Sequence, residues 1–144
     1  MVIEFYDNPK AEASWLRKQR DQSVAYIDKQ GIKHRGVSEE PEWFVAPYVS
    51  LWTVESGENP GAIGWWLISG DLPTDYLSGN DATDPRGALG AFATRWEEVS
   101  TCLLRGEDHP TIRIGEPENR EELGDLLLRR ARILKDWVND DSLW

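Results

Sequence analysis

The stretch Trp43-Phe44-Val45-Ala46-Pro47-Tyr48-Val49-Ser50-Leu51-Trp52-Thr53-Val54, then Glu55-Ser56-Gly57-Glu58-Asn59-Pro60-Gly61, then Ala62-Ile63-Gly64-Trp65-Trp66-Leu67-Ile68-Ser69 decides the fold class. Its two ends are rich in aromatic and β-branched residues, which suit a pleated, packed surface. Its middle is turn chemistry: Gly, Asn, Pro and Ser within seven residues. The reading is an antiparallel hairpin with strands over 43–54 and 62–69. Side chains alternate across a strand. Tyr48, Ser50, Trp52 and Val54 therefore share one face, Val49, Leu51 and Thr53 the other, and Trp65 and Trp66 point to opposite faces. Pro47 suits an edge or a bulge near the strand start. Both faces are apolar, so the sheet is either covered on both sides or carries a binding face.

Helices flank this hairpin. Upstream, Asn8 is a cap residue, Pro9 fits the first helical position and Glu12 lies in the first turn. Ala11, Trp15, Leu16, Ser23, Tyr26 and Ile27 then follow one helical face, and Gly31 ends it. Residues 32–42 read as a polar loop. Downstream, residues 70–83 read as a long loop studded with Asp, Gly and Pro. Asp84-Pro85 restarts a helix whose stripe is Leu89, Phe92, Ala93, Trp96, Val99, Ser100, Leu103 and Leu104, stopped by Gly106. Thr111-Ile112-Arg113-Ile114 reads as a short strand. A last helix spans about 118–138, with Leu123, Leu126, Leu127, Ala131, Leu134, Trp137 and Val138 on one face. Its acids come first and its arginines last, which complements the helix dipole, so those arginines are structural. The fold expected is one α+β domain: a small antiparallel sheet, hairpin plus short strand, packed with three helices.

Size and composition agree with one soluble domain. A chain of 144 residues, 40% hydrophobic and 29% charged, is globular rather than disordered. The longest apolar stretch, 62–68, is far short of the ~18–20 residues of a membrane span. The opening Met1-Val2-Ile3-Glu4-Phe5-Tyr6-Asp7 has acids where a secretory signal needs bases and an apolar run, so a cytoplasmic location is expected. One cysteine, Cys102, excludes an intrachain disulfide and a cysteine-built zinc site. In its amphipathic helix it reads as an inert thiol.

Charge is the functional signal. The net charge is −10, and residues 37–84 hold nine acids with no Lys or Arg. Such a field opposes nucleic acid and anionic membranes and favours a basic protein partner, whose capture it speeds. The expected partner-binding residues are Glu55, Glu58, Asp71, Asp75 and Asp81, with Trp66 and Tyr76 as aromatic anchors. The most concrete form is an immunity protein or inhibitor that plugs the cationic active site of a toxin such as a nuclease. The alternative is a small enzyme or ligand-binding domain with a pocket between the sheet and the 70–84 loop. A homodimer through an exposed hairpin face is a third option.

Catalytic chemistry has no signature here. No nucleophile elbow, phosphate loop or dinucleotide fingerprint occurs. Asp71, Asp75, Asp81 and Asp84 lack calcium-loop spacing and Asp84 is needed as a helix cap, so no metal and no cofactor are expected. His34 lies in a polar run and reads as exposed. His109, after Glu107-Asp108, is either a general base oriented by a carboxylate or a loop histidine bonded to a carbonyl, the blander account. Of the eight tryptophans, Trp15, Trp96 and Trp137 lie on apolar helix faces and are expected in the core.

Several strings carry a resemblance. They are Val45-Ala46-Pro47-Tyr48-Val49-Ser50, Gly64-Trp65-Trp66, Gly70-Asp71-Leu72-Pro73-Thr74-Asp75-Tyr76, His109-Pro110-Thr111-Ile112-Arg113-Ile114-Gly115 and Leu143-Trp144. The chain resembles a family of small bacterial proteins known as a domain of unknown function. That resemblance implies a bacterial source and a stand-alone domain, and it brings no catalytic residues.

Overall fold

The structure is a computed structural model that describes residues 8–114 and 118–144. It has three helices and a five-stranded antiparallel sheet, an α+β fold. The chain forms two compact units, Met1–Pro85 and Arg86–Trp144.

The first unit holds helix α1 (Pro9–Lys29) and strands β1 (His34–Val37), β2 (Trp43–Val45), β3 (Val49–Ser56), β4 (Ile63–Gly70) and β5 (Leu72–Ser78). The Asn8 side chain accepts from the amides of Lys10 and Ala11, which starts α1 as the sequence predicts. Gly31, at φ 70°, lets the chain reverse where α1 stops. The strand order is β1-β3-β4-β5, with β2 on the same edge of β3 as β1. The hairpin of the sequence reading is β3–β4, in register Thr53↔Trp66 and Val54↔Trp65. That register puts the two tryptophans on opposite faces.

Three segments differ from the sequence reading. The expected strand over 43–54 is two strands, because the chain turns at Ala46–Pro47–Tyr48, where the Tyr48 amide donates to Val45 at 2.7 Å. Residues 32–42 are not all loop: β1 pairs with the far end of β3. The expected loop over 70–83 is mostly strand β5, followed by a 3-10 turn, Gly79–Asp81. Only Gly70 and Asp71 make the reversal into β5. Gly70 sits at φ 148°, and a Cβ there would lie 2.2 Å from the Tyr48 carbonyl oxygen. Any larger residue would push β4 off the β2–β3 turn.

Helix α1 lies on the sheet face formed by Trp52, Val54, Leu67 and Val37, with Ile27 at the centre of that core. Under the same helix runs a polar seam. Ser23 donates to the Ser69 hydroxyl at 3.2 Å, Ser50 and Ser69 meet at 3.0 Å, and the Trp52 indole donates to Ser50 at 2.9 Å. The opposite face carries Val49, Leu51, Trp66, Ile68, Asp75 and Leu77, and it is buried as well.

The second unit holds helices α2 (Pro85–Leu103, whose first residue closes the first unit) and α3 (Arg120–Val138). They run antiparallel. Arg86 at the start of α2 donates to the Val138 carbonyl at the end of α3, and Gly124 near the start of α3 packs against Leu103. A Cβ at Gly124 would meet the Leu103 Cβ at 3.0 Å, so glycine lets the helices approach. The α2 stripe is buried from Leu89 through Leu103, with Trp96 fully enclosed, while Leu104 is exposed. Trp15 and Trp137, expected in the core, are only half-buried. The expected strand over 111–114 is absent: these residues are irregular, tied to His109 rather than to a sheet edge.

Candidate functional site

The nine acids of residues 37–84 do not form one surface. β5 separates them. Asp71 sits at its start, beside Tyr48, where its amide donates to the Tyr48 carbonyl at 2.9 Å. Asp81 follows its end, beyond Ser78, which pairs with Trp65. A strand of this length spans roughly 20 Å, so Asp71 cannot act with Asp81. Glu55 and Glu58 lie at the same end of the sheet as Asp81, because Trp65 of β4 pairs with Val54 on one side and with Ser78 on the other. Gly79 reaches that corner so closely that a Cβ would lie 2.2 Å from the Ile63 carbonyl oxygen.

Two of the expected contact residues are not on the surface at all. Trp66 is buried and its indole donates to the Ala82 carbonyl at 3.2 Å. Asp75 is 0% exposed, and one carboxylate oxygen accepts the Tyr76 amide at 2.8 Å. Both lie on the buried face opposite α1. A strand reading of 72–78 would have shown it, since Asp75 and Leu77 must then share a face. Tyr76 is half-buried and packs edge-on against Tyr26 of α1, ring centroids 6.0 Å apart. It is a core contact more than an anchor. Of the expected set, Glu58, Asp71 and Asp81 are exposed and Glu55 is partly so.

The tip of the β3–β4 hairpin therefore becomes the candidate site. It is a rigid turn. The Ser56 hydroxyl accepts the amides of Glu58 and Asn59, and a Glu55 oxygen accepts the Gly61 amide at 3.1 Å. Gly57 approaches the Lys33 carbonyl, where a Cβ would sit at 2.6 Å. Two clefts flank the turn. One, of about 480 Å³, lies against the β1 edge and is bordered by Arg20, Arg35, Glu39, Thr53, Glu55 and Ile63. The other, of about 530 Å³, lies between the turn and the end of β5 and is bordered by Lys33, Glu58, Asn59, Trp65, Ser78 and Asn80. The sequence reading missed Trp65 and Ile63 here. Ile63 is 44% exposed, and Trp65 is half-buried on the α1 face.

Bases and acids segregate along the sequence but not around this tip, whose clefts Arg20, Lys33 and Arg35 border. Every Lys and Arg among residues 8–85 lies on α1 or between it and Gly36. Arg20 is held at the edge, donating to the carbonyls of Val37 and Ser38 at 2.9 Å each and lying 3.6 Å from Glu39. It occupies acceptors that an added strand would need, and the Asp75 carboxylate does the same for the Tyr76 amide on β5.

Neither histidine is arranged as a general base. His34 is not exposed: its Nδ1 accepts the Gly36 amide at 3.0 Å and its Nε2 meets Asp28 at 2.8 Å. His109 Nδ1 accepts two amides, Thr111 at 3.1 Å and Ile112 at 3.0 Å, while Nε2 lies 4.0 Å from Glu98. The ring thus accepts from backbone amides rather than donating to a carbonyl. In both rings the proton of the neutral form sits on Nε2 and the Nδ1 lone pair is already used. Among the described residues no three His, Cys, Asp or Glu side chains converge as a metal site, and no helix is long and apolar enough to cross a membrane.

A family model described as a domain of unknown function, DUF4826, matches residues 10–144. No curated protein and no solved structure matches the chain.

Proposed function

We propose that this chain, which belongs to the DUF4826 family, is a binding module that captures a basic protein partner at the tip of its β3–β4 hairpin. The supporting observation is that Glu55, Glu58 and Asp81 lie at one end of the sheet, near the exposed Ile63 and the half-buried Trp65, with Lys33 and Arg35 bordering the flanking clefts. Carboxylates around an aromatic and an aliphatic contact suit a cationic surface: the charges raise the encounter rate and the apolar groups hold the complex. In its most specific form the partner is a toxin, such as a nuclease, whose cationic active site the hairpin tip blocks. A second reading has one observation in its favour. The cleft between the hairpin turn and the end of β5, bordered by Ser78 and Asn80, has about 530 Å³, which accommodates a small polar ligand.

The test starts from a partner retained on the immobilised protein at low salt. Its association rate should fall by on the order of tenfold when salt rises from about 50 mM to about 500 mM. Glu55→Gln, Glu58→Gln and Asp81→Asn together should slow association comparably. Asp71→Asn, at the other end of β5, should leave it within about twofold. A rate indifferent to salt and to the triple change overturns the proposal. A triple variant that loses only small-molecule binding moves the second reading ahead.

A further inference from the structure

His109 occupies a place where a charged imidazole cannot keep the bonds that a neutral one makes. Its side chain is 16% exposed and lies over α2, beside Val99 and Leu103. Nδ1 receives the amides of Thr111 and Ile112, so it must offer a lone pair. A proton on Nδ1 would face two N–H groups that have no other acceptor in that geometry. The segment following it depends on those bonds. Residues 108–114 form no strand or helix, yet Ile114 is buried. The further ties are side-chain bonds: Arg113 to the His109 carbonyl at 2.6 Å, and Arg120 to Asp108 at 2.9 Å.

We propose that residues 108–114 form an acid-released strap over α2, with the His109 Nδ1 acceptor as its latch. Lowering the pH protonates the ring, the two amide bonds fail, and the strap lifts from Val99 and Leu103, exposing Ile114. The surrounding charges do not reverse this. Glu98 on α2 attracts an imidazolium, but it does so at Nε2, across 4.0 Å, and leaves the conflict at Nδ1 untouched. Asp108 is engaged by Arg120 from the start of α3. Arg113, in the strap itself, opposes a positive ring. The direction is fixed by linkage: the released strap accepts the proton at no loss of bonds, so each step towards acid favours release. His34 differs, since its Nδ1 accepts a single amide and Asp28 lies at 2.8 Å from its Nε2.

The full chain, labelled for amide exchange, tests this between about pH 8 and about pH 5, the interval over which imidazoles change charge. After correction for intrinsic rates, exchange at Thr111 and Ile112 should accelerate by on the order of tenfold relative to Phe92 in α2. His109→Asn keeps a side-chain acceptor for the following amides without a titrating group, and should abolish the acceleration. Glu98→Gln should preserve it, because the conflict is at Nδ1. Unchanged exchange in the parent protein overturns the proposal. So does acceleration that persists in His109→Asn, or that vanishes in Glu98→Gln.

Discussion

The two units place their polar groups in opposite ways. Between α1 and the sheet, polarity is inside: Ser23, Ser50, Ser69 and the Trp52 indole form a buried chain of hydrogen bonds, and the Ser69 hydroxyl also reaches the Gln19 carbonyl at 3.5 Å. Between α2 and α3, polarity is outside. Lys135 of α3 meets Glu97 of α2 at 2.5 Å and Arg86 of α2 meets Asp141, just beyond α3, at 2.6 Å, each pair at least partly exposed. The buried residues of these helices include Phe92, Ala93, Trp96, Leu127 and Leu134. Apolar burial is non-directional and tolerates small slides. Hydrogen bonds among serines do not, so the first unit fixes the register of its helix chemically while the second fixes it by shape, through Gly124.

Substitutions can break that comparison. The largest effect belongs to the apolar interior: Trp96→Ala should cost ~3–5 kcal/mol in urea unfolding, since a fully enclosed indole leaves a cavity. A loss below about 1 kcal/mol would mean that the α2 stripe is not core. Next comes the serine seam. Ser50→Ala leaves the Trp52 indole N–H buried without its acceptor, and should cost about 1–3 kcal/mol. Lys135→Met removes an ion pair whose side chains are 48% and 34% exposed, and should cost no more than about 1 kcal/mol. If Lys135→Met proves as costly as Ser50→Ala, the two units do not differ as argued.

The elements that were legible are those whose signals are local. Asn8-Pro9 starts α1 and Pro85 starts α2 because a cap and a missing amide are properties of adjacent residues. The β3–β4 hairpin was legible for the same reason, its turn lying between two apolar runs. Strand β5 was not. Its Gly, Asp and Pro residues spell a loop, yet Pro73 sits close to the strand start and Asp75 satisfies a neighbouring amide with its own side chain, so both fit a strand that has β4 beside it. Only pairing over a distance could reveal this. The site inherits the same division: that the acids exceed the bases was plain, but which acids meet depends on β3 and β5 ending at one corner. Asp75 was misplaced because a loop has no inner face, and Trp66 because both faces of its strand read as apolar and both are buried. Trp65, not Trp66, lies at the tip cleft, a choice set by which face α1 covers.

The smallest effect is the sharpest test of surface polarity in the second unit. The Asp108 carboxyl is held below the usual carboxylate range, first by the hydrogen bond from Arg120 and then by the charges of Arg120 and Arg113, with burial opposing. Arg120 is raised by the same bond. Asp140 is lowered too, by bonds from the Ser142 hydroxyl and amide. For a carboxyl whose folded value is depressed, the stabilisation is complete above its unfolded value and disappears as pH falls through the folded one. The pair should therefore add nothing to the pH dependence above about pH 5, and its loss should show only in strong acid, below about pH 4. Asp108→Asn should lower neutral stability slightly, because both partners are solvated, and flatten the acid end of the stability profile by the same small amount. It should also leave the acceleration at Thr111 and Ile112 between about pH 8 and about pH 5 in place, since that response belongs to the ring and not to the carboxylate. A profile in which Asp108→Asn removes the response near neutrality would mean that the strap is held by its ion pair and not by the ring.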